Sequence, residues 1–165
     1  MNTQQFLAEK ATLDDISSIS TLLEQYSKMG NVLPRTPKDI EENIEHFWVI
    51  HDVNLNTHAA MPEQKIVACG ALEQFTEELI EIRSLVVNPN IQGSGLGRIL
   101  VHELTKVARN RGAKRLMALT YSVGFFEKLG FTVVEKDIFP EKIWSICVNC
   151  YKFNNCDEVA VVLYL

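Results

Sequence analysis

Ile80-Glu-Ile-Arg-Ser-Leu-Val-Val-Asn-Pro-Asn-Ile-Gln-Gly-Ser-Gly-Leu-Gly-Arg98 is the stretch on which the reading of this chain turns. Ile80 to Val87 reads as a strand that ends before Pro89. A glycine turn follows, and a helix starts at Leu96. Gly93, Gly95 and Gly97 stand at alternate positions, so the backbone can curl and aim successive N–H groups at one point. Such a concavity at a helix N-terminus suits a phosphate or pyrophosphate. The spacing differs from G-x-G-x-x-G, and Gly97-Arg98-Ile99 lacks the Gly-Lys-Ser/Thr of a P-loop. Taken alone, the turn also reads as a tight strand-to-helix connection.

Working outward, Phe6 to Thr12 reads as a first strand. Thr12 and Asp15 form a capping signature ahead of an apolar stripe at Ile16, Ile19, Leu22, Leu23 and Tyr26. Pro37 opens a second helix that carries Ile40, Ile44 and Phe47. Trp48 to Ile50 and Lys65 to Gln74 are strands, separated by a polar segment from Asp52 to Gln64. Leu96 to Arg111 is an amphipathic helix closed by Gly112. Arg115 to Thr120 is a buried strand, and Gly124 to Leu129 a short helix ended by Gly130. Phe131 to Val134 and Val159 to Leu163 are the last strands, with an irregular segment between them. The order β α α β β β α β α β β predicts one mixed α/β domain over residues 1–165.

The chain of 165 residues has 47% hydrophobic and 22% charged residues, as a soluble globular domain does. A net charge of -5 argues against nucleic acid as a partner. No apolar run reaches the length of a membrane span, and Met1 to Phe6 does not resemble a signal peptide. A cytoplasmic location with reduced cysteines is the expectation.

The pattern Val87-x-Pro89-x-x-Gln92-Gly-x-Gly-x-Gly97, followed by a long helix, resembles the acetyl-CoA site of the GNAT acyltransferases. Phe125-Phe-Glu-Lys-Leu-Gly-Phe131 resembles the second signature of that family. Leu33-Pro-Arg35, Phe47-Trp-Val49, Cys69-Gly-Ala-Leu72, Glu81-Ile-Arg83 and Leu119-Thr120 are together similar to the acetyltransferase domain of N-acetylglutamate synthases. The match is best to the short, stand-alone form.

That resemblance implies a GNAT fold with splayed central parallel strands, and transfer of acetyl from acetyl-CoA to the α-amino group of an amino acid, L-glutamate first. N-acetylglutamate synthesis opens arginine biosynthesis. It implies that N–H groups near Leu85, Val86 and Val87 hold the pantetheine. Those of Gln92, Gly93, Ser94, Gly95, Leu96 and Gly97 would hold the pyrophosphate. Arg98 would add charge for a phosphate, or be a solvated helix residue. Glu81 matches the glutamate that acts as base in some members, or is a strand-end glutamate paired with Arg83 or a lysine. Phe126 falls in the cofactor site, where the family often has a tyrosine as acid; Tyr121 and Ser122 are alternatives, with core packing or helix capping as their ordinary roles. Arg35 would bind a substrate carboxylate, or be a surface arginine beside Pro34. Arg83 shares a strand face with Glu81 and either binds a carboxylate or pairs with Glu81. Many synthase domains carry a basic segment before the last strand; Asn154-Asn-Cys-Asp-Glu158 is acidic here, so carboxylate recognition must differ. Rival readings are acetylation of a protein or another small amine, and a non-catalytic acetyl-CoA sensor. A homodimer is a family expectation.

Cys147, Cys150 and Cys156 have the spacing C-x2-C-x5-C. A zinc site there would need a fourth ligand, from His46, His51, His58, His102, Asp157 or a second chain. A redox-sensitive disulfide and ordinary reduced thiols are the alternatives. Trp48 and Trp144 read as packing residues.

Overall fold

The computed structural model describes residues 6–52 and 66–165. The expected polar segment from residue 53 onward, with His58, and the first residue of the strand expected at Lys65 lie outside the described residues.

The described residues form seven strands: β1 (Ala8–Lys10), β2 (Phe47–His51), β3 (Ile66–Gln74), β4 (Leu79–Val87), β5 (Arg115–Thr120), β6 (Thr132–Val134) and β7 (Val159–Tyr164). They form one sheet in the order β1-β2-β3-β4-β5-β7-β6. Its helices are α1 (Ile16–Lys28), α2 (Pro37–Glu42), α3 (Leu96–Asn110), α4 (Val123–Glu127) and α5 (Pro140–Ser145). β4 and β5 run parallel, with Leu79, Ile80 and Glu81 opposite Arg115, Leu116 and Met117. The β1–β2, β2–β3, β5–β7 and β6–β7 pairs are antiparallel, so the sheet is mixed.

By contact density the chain divides into two units, Met1–Ala71 with Ser84–Leu104, and Leu72–Arg83 with Thr105–Leu165. In the first unit the apolar stripe of α1 (Ile19, Leu22, Leu23, Tyr26) packs with Ile40, Phe47, Val49, Cys69, Ala71 and Val86. Thr12 and Asp15 form the expected capping box, with Thr12 N–H donating to Asp15 Oδ2 at 2.8 Å. A 3-10 turn at Leu13–Asp15 precedes α1. Gly70 sits in a tight place in this unit: a Cβ would lie 3.1 Å from a Leu85 methyl and 3.2 Å from a Leu104 methyl, and both would have to give by a few tenths of an ångström. The glycine therefore permits β3 to approach β4 and α3 closely.

Phe47 is not on the second helix. Thr36 caps α2 by accepting from Asp39 N–H at 3.1 Å, but the helix stops at Glu42. Asn43 turns its side chain back onto the Asp39 carbonyl at 2.8 Å and leaves helical geometry. This local bond offers the backbone an alternative to another helical turn. Phe47 then opens β2, fully buried.

In the second unit, β5 and β7 pair along their lengths, from Arg115 opposite Tyr164 to Thr120 opposite Val159. Leu79, Met117, Phe139, Ala160 and Val162 form its core. The segment before β7 is more ordered than an irregular loop. Pro140 occupies the first turn of α5, where its missing N–H costs nothing. Trp144 is 76% exposed, so it is not a packing residue, whereas Trp48 is buried as expected.

Candidate active site

In the first unit, the end of β4 leads to the glycine loop. Ser84 has φ 53, the one non-glycine residue with positive φ among the described residues. A residue held in that region is strained by about 1–3 kcal/mol and marks a place where surroundings dictate the backbone. The Ser84 carbonyl accepts from the Cys69 thiol at 3.7 Å. Burial pushes that thiol up to about 12, against the weaker opposing pull of Arg35, so Cys69 stays protonated as a donor.

Beyond Val87, Asn88 N–H donates to the Val67 carbonyl at 2.7 Å, and a 3-10 turn covers Pro89–Ile91. Gly93 and Gly95 then adopt φ 82 and 86. A Cβ at either would point into open space, so the demand for glycine is conformational, not steric. Gly97 differs from the expectation: it lies inside the first turn of α3, and the curl belongs to Gly93 and Gly95. Gln92 to Gly95 are exposed, and α3 starts at the next residue. The first N–H groups of a helix have no partner within it. This loop therefore fits the pyrophosphate of a nucleotide carrier. Arg98 is exposed on the first turn of α3.

Arg35 lies beside the same strand. Its Nε donates to Asp39 Oδ2 at 2.5 Å, and Nη1 lies 3.4 Å from Ser84 Oγ. The guanidinium sits 5.0 Å from the Phe47 ring centroid, and its side chain is only 12% exposed. The arginine is thus oriented from two sides rather than extended into solvent.

In the second unit, Glu81 is buried with 3% of its surface exposed. Lys142 of α5 donates to both of its oxygens, at 2.5 and 2.6 Å, and is itself buried. Arg83 Nε stands 3.7 Å from Glu81 Oε2 and Nη1 4.0 Å from Glu73. The pairing alternative for Arg83 is therefore realised, but the dominant partner of Glu81 is Lys142. A carboxylate offers about four acceptor positions, and Lys142 occupies one on each oxygen.

Phe126 is 4% exposed and meets Phe125 and Phe131 edge to face, with centroids 5.2 and 5.1 Å apart. It carries no proton to give. Tyr121 neither packs in the core nor caps α4. It donates to Asp157 at 2.6 Å and accepts from Lys152 at 2.8 Å. The bond to Asp157 holds its phenol above the usual range.

The zinc reading of Cys147, Cys150 and Cys156 is corrected. Among the described residues no three His, Cys, Asp or Glu side chains converge as a metal site requires. The three cysteines are half-buried free thiols, and Cys156 lies toward Glu158 at 4.0 Å. No helix among the described residues is long and apolar enough to cross a membrane.

Lys142 beside Glu81 in the second unit, and Asp39 beside Arg35 and Tyr26 beside Gln92 in the first, are neighbours of candidate residues that the sequence does not mark. For Lys142 the available signal was Pro140, which marks a helix start and so places a cation inside a helix. For Tyr26 it was position: a phenol closing an apolar stripe brings a polar tip to the core edge.

Residues 19–131 match the acetyltransferase (GNAT) family model. An uncharacterised N-acetyltransferase of Chlorobaculum tepidum is 37% identical over 92% of each chain. An amino-acid acetyltransferase of Yersinia pseudotuberculosis is 32% identical over 79% of this chain, which spans 28% of that relative's length. Among solved structures, a Mycobacterium tuberculosis protein in complex with CoA has a TM-score of 0.80 at 28% identity, covering 96% of this chain and 99% of its own. N-acetylglutamate synthase from Neisseria gonorrhoeae, complexed with coenzyme A and N-acetyl-glutamate, has a TM-score of 0.83 at 25% identity, covering 99% of this chain and 36% of its own.

Proposed function

The chain belongs to the acetyltransferase (GNAT) family, and on that premise we propose that it moves acetyl from acetyl-CoA to the α-amino group of an amino acid, L-glutamate first. The proposal takes residues 1–165 as one acetyltransferase domain, with a place in arginine biosynthesis.

Acetyl-CoA supplies an activated acyl group on a thiolate that leaves readily. The exposed curl at Gly93 and Gly95, ahead of α3, is the element that suits its pyrophosphate. Main-chain N–H groups near Leu85, Val86 and Val87 are assigned to the pantetheine arm and to the acyl oxygen. A well-placed donor of that kind is worth about 3 kcal/mol in the transition state. Glu81 is assigned the proton of the acceptor ammonium, which must be lost before nitrogen can attack. Its acceptor positions not used by Lys142 are the ones available for that proton, directly or over one water.

The observation that carries the amino-acid reading is Arg35. It is held by Asp39 through Nε and directed at Ser84 on the cofactor strand. Asp39 and Ser84 engage two of the five N–H donors, so those left on Nη1 and Nη2 suit a second carboxylate in bidentate geometry. An anionic acceptor is favoured over a protein lysine on that ground. The names of the Yersinia and Neisseria proteins support the same class.

Release of CoA thiol, followed with each amino acid in turn, tests the proposal. Turnover with free glutamate above all others is the expected result. Turnover confined to peptides or polyamines would replace it, and CoA binding without turnover on any amine would leave a sensor module.

A further inference from the structure

We propose that Tyr26 is a positioning residue for the CoA pyrophosphate, acting as a buried clasp that closes the loop between the end of β4 and the glycine curl. The inference rests on the acetyl-CoA reading above and adds the side chain that shapes that site.

Tyr26 stands on the last turn of α1 and is 8% exposed. Its hydroxyl donates to the carbonyl of Val87, the last residue of β4. The same oxygen accepts from the side-chain amide of Gln92, immediately before Gly93. One atom therefore ties together both ends of the segment Asn88–Ile91. Two further bonds brace that segment: Asn88 N–H to the Val67 carbonyl at 2.7 Å, and Asn90 N–H to Asn88 Oδ1 at 3.0 Å. The Ser94 hydroxyl adds a third, to the Ile91 carbonyl, at 2.6 Å.

The chemistry of the clasp needs a neutral phenol, because only that form donates and accepts at once. Burial pushes the Tyr26 phenol up, against the opposing effect of the Gln92 bond, and so keeps the proton on. Gln92 spends its side chain on Tyr26, so its contribution to a bound diphosphate comes from the main chain. A loop held in this way meets the diphosphate without having to order first, and preorganisation of that kind appears as affinity.

Tyr26→Phe removes both bonds while keeping the ring in the α1 stripe. Gln92→Leu removes one bond from an exposed loop position. CoA binding by calorimetry and turnover of acetyl-CoA are compared with turnover of S-acetyl-pantetheine, which lacks the diphosphate. In Tyr26→Phe the Kd for CoA and the KM for acetyl-CoA rise roughly tenfold, the size of one buried hydrogen bond. The kcat at saturation is retained, and S-acetyl-pantetheine is used as well as by the wild type. Gln92→Leu gives a loss of the same kind, and the double variant is no worse than Tyr26→Phe alone. Equal CoA affinity in wild type and both variants overturns the clasp and leaves the functional reading intact. A matching loss with both thioesters also overturns it, since the defect would then be in α1 packing. Absence of CoA binding by the wild type removes the functional reading and the clasp with it.

Discussion

Replacing Lys142 by Met should cost far more stability than the loss of a surface cation. Lys142 Nζ donates to both oxygens of Glu81, and the two side chains are only 7% and 3% exposed. Met matches the length of the lysine stem but leaves the carboxylate with only Arg83, 3.7 Å away. Stranding one member of a buried pair costs about 3–5 kcal/mol, because the remaining charge is desolvated and unmatched. For a chain of this size each kcal/mol lowers Tm by roughly 2–4 °C, so a fall of about 6–20 °C is expected. Thermal unfolding followed by circular dichroism, with urea titration alongside, measures it. The double variant Glu81→Leu/Lys142→Met removes both charges from the core and should regain most of that loss, while abolishing acetyl transfer if Glu81 takes the proton. A single variant that loses less than about 1 kcal/mol would refute the reasoning, since that is how an exposed pair behaves. So would a double variant no more stable than the single one.

Three other outcomes are expected. Arg35→Gln should raise the KM for the amino acid by tenfold or more with the KM for acetyl-CoA little changed; steady-state kinetics with each substrate varied in turn reads the split. His51 sits between Asp15 Oδ1 at 2.8 Å and Glu9 Oε1 at 2.9 Å. Burial opposes its charge, but the two carboxylates outweigh that and hold its pKa above 6.5. Its stabilising effect is then fully present below about pH 6.5 and lost as pH rises through the raised folded value. His51→Gln should flatten the fall in Tm over that alkaline approach, and an unchanged Tm–pH curve would contradict the assignment. Thr36→Ala should destabilise α2 by about 1 kcal/mol through loss of its cap on Asp39 N–H, visible as a lower urea midpoint with m unchanged.

The parts of the fold that were legible in the sequence are those written as local periodicity or local turn chemistry. β5 falls on Arg115–Thr120 as its buried apolar run predicts, and α3 spans Leu96–Asn110 on the strength of its stripe. The glycine loop announced itself because a positive φ leaves glycine as the cheap choice, and Gly93 and Gly95 bear that out. Gly97 shows the limit, since composition alone cannot tell a curled glycine from a helical one. What stayed hidden depends on partners far away in the chain. Glu81 and Lys142 are 61 positions apart, and Tyr26 and Gln92 are 66 apart. Neither pair leaves a periodic trace, and each residue has an ordinary local role that accounts for it alone. Ser84 is hidden as well: it holds φ 53 within β4, and serine carries no sign of it. The cysteine spacing left zinc, a disulfide and reduced thiols open, because C-x2-C describes separation along the chain and says nothing of where the thiols converge; the structure has free thiols.

Calorimetric titration of CoA into the wild-type protein and into Gly95→Ala asks whether the main chain of the glycine loop cradles the diphosphate. At Gly95 the added methyl meets open space, but φ 86 is a conformation that alanine resists. Single-site CoA binding by the wild type, weakened at least tenfold in Gly95→Ala with Tm little changed, is the predicted result. No heat with CoA, or equal affinity in the two proteins, would contradict a main-chain cradle for the diphosphate.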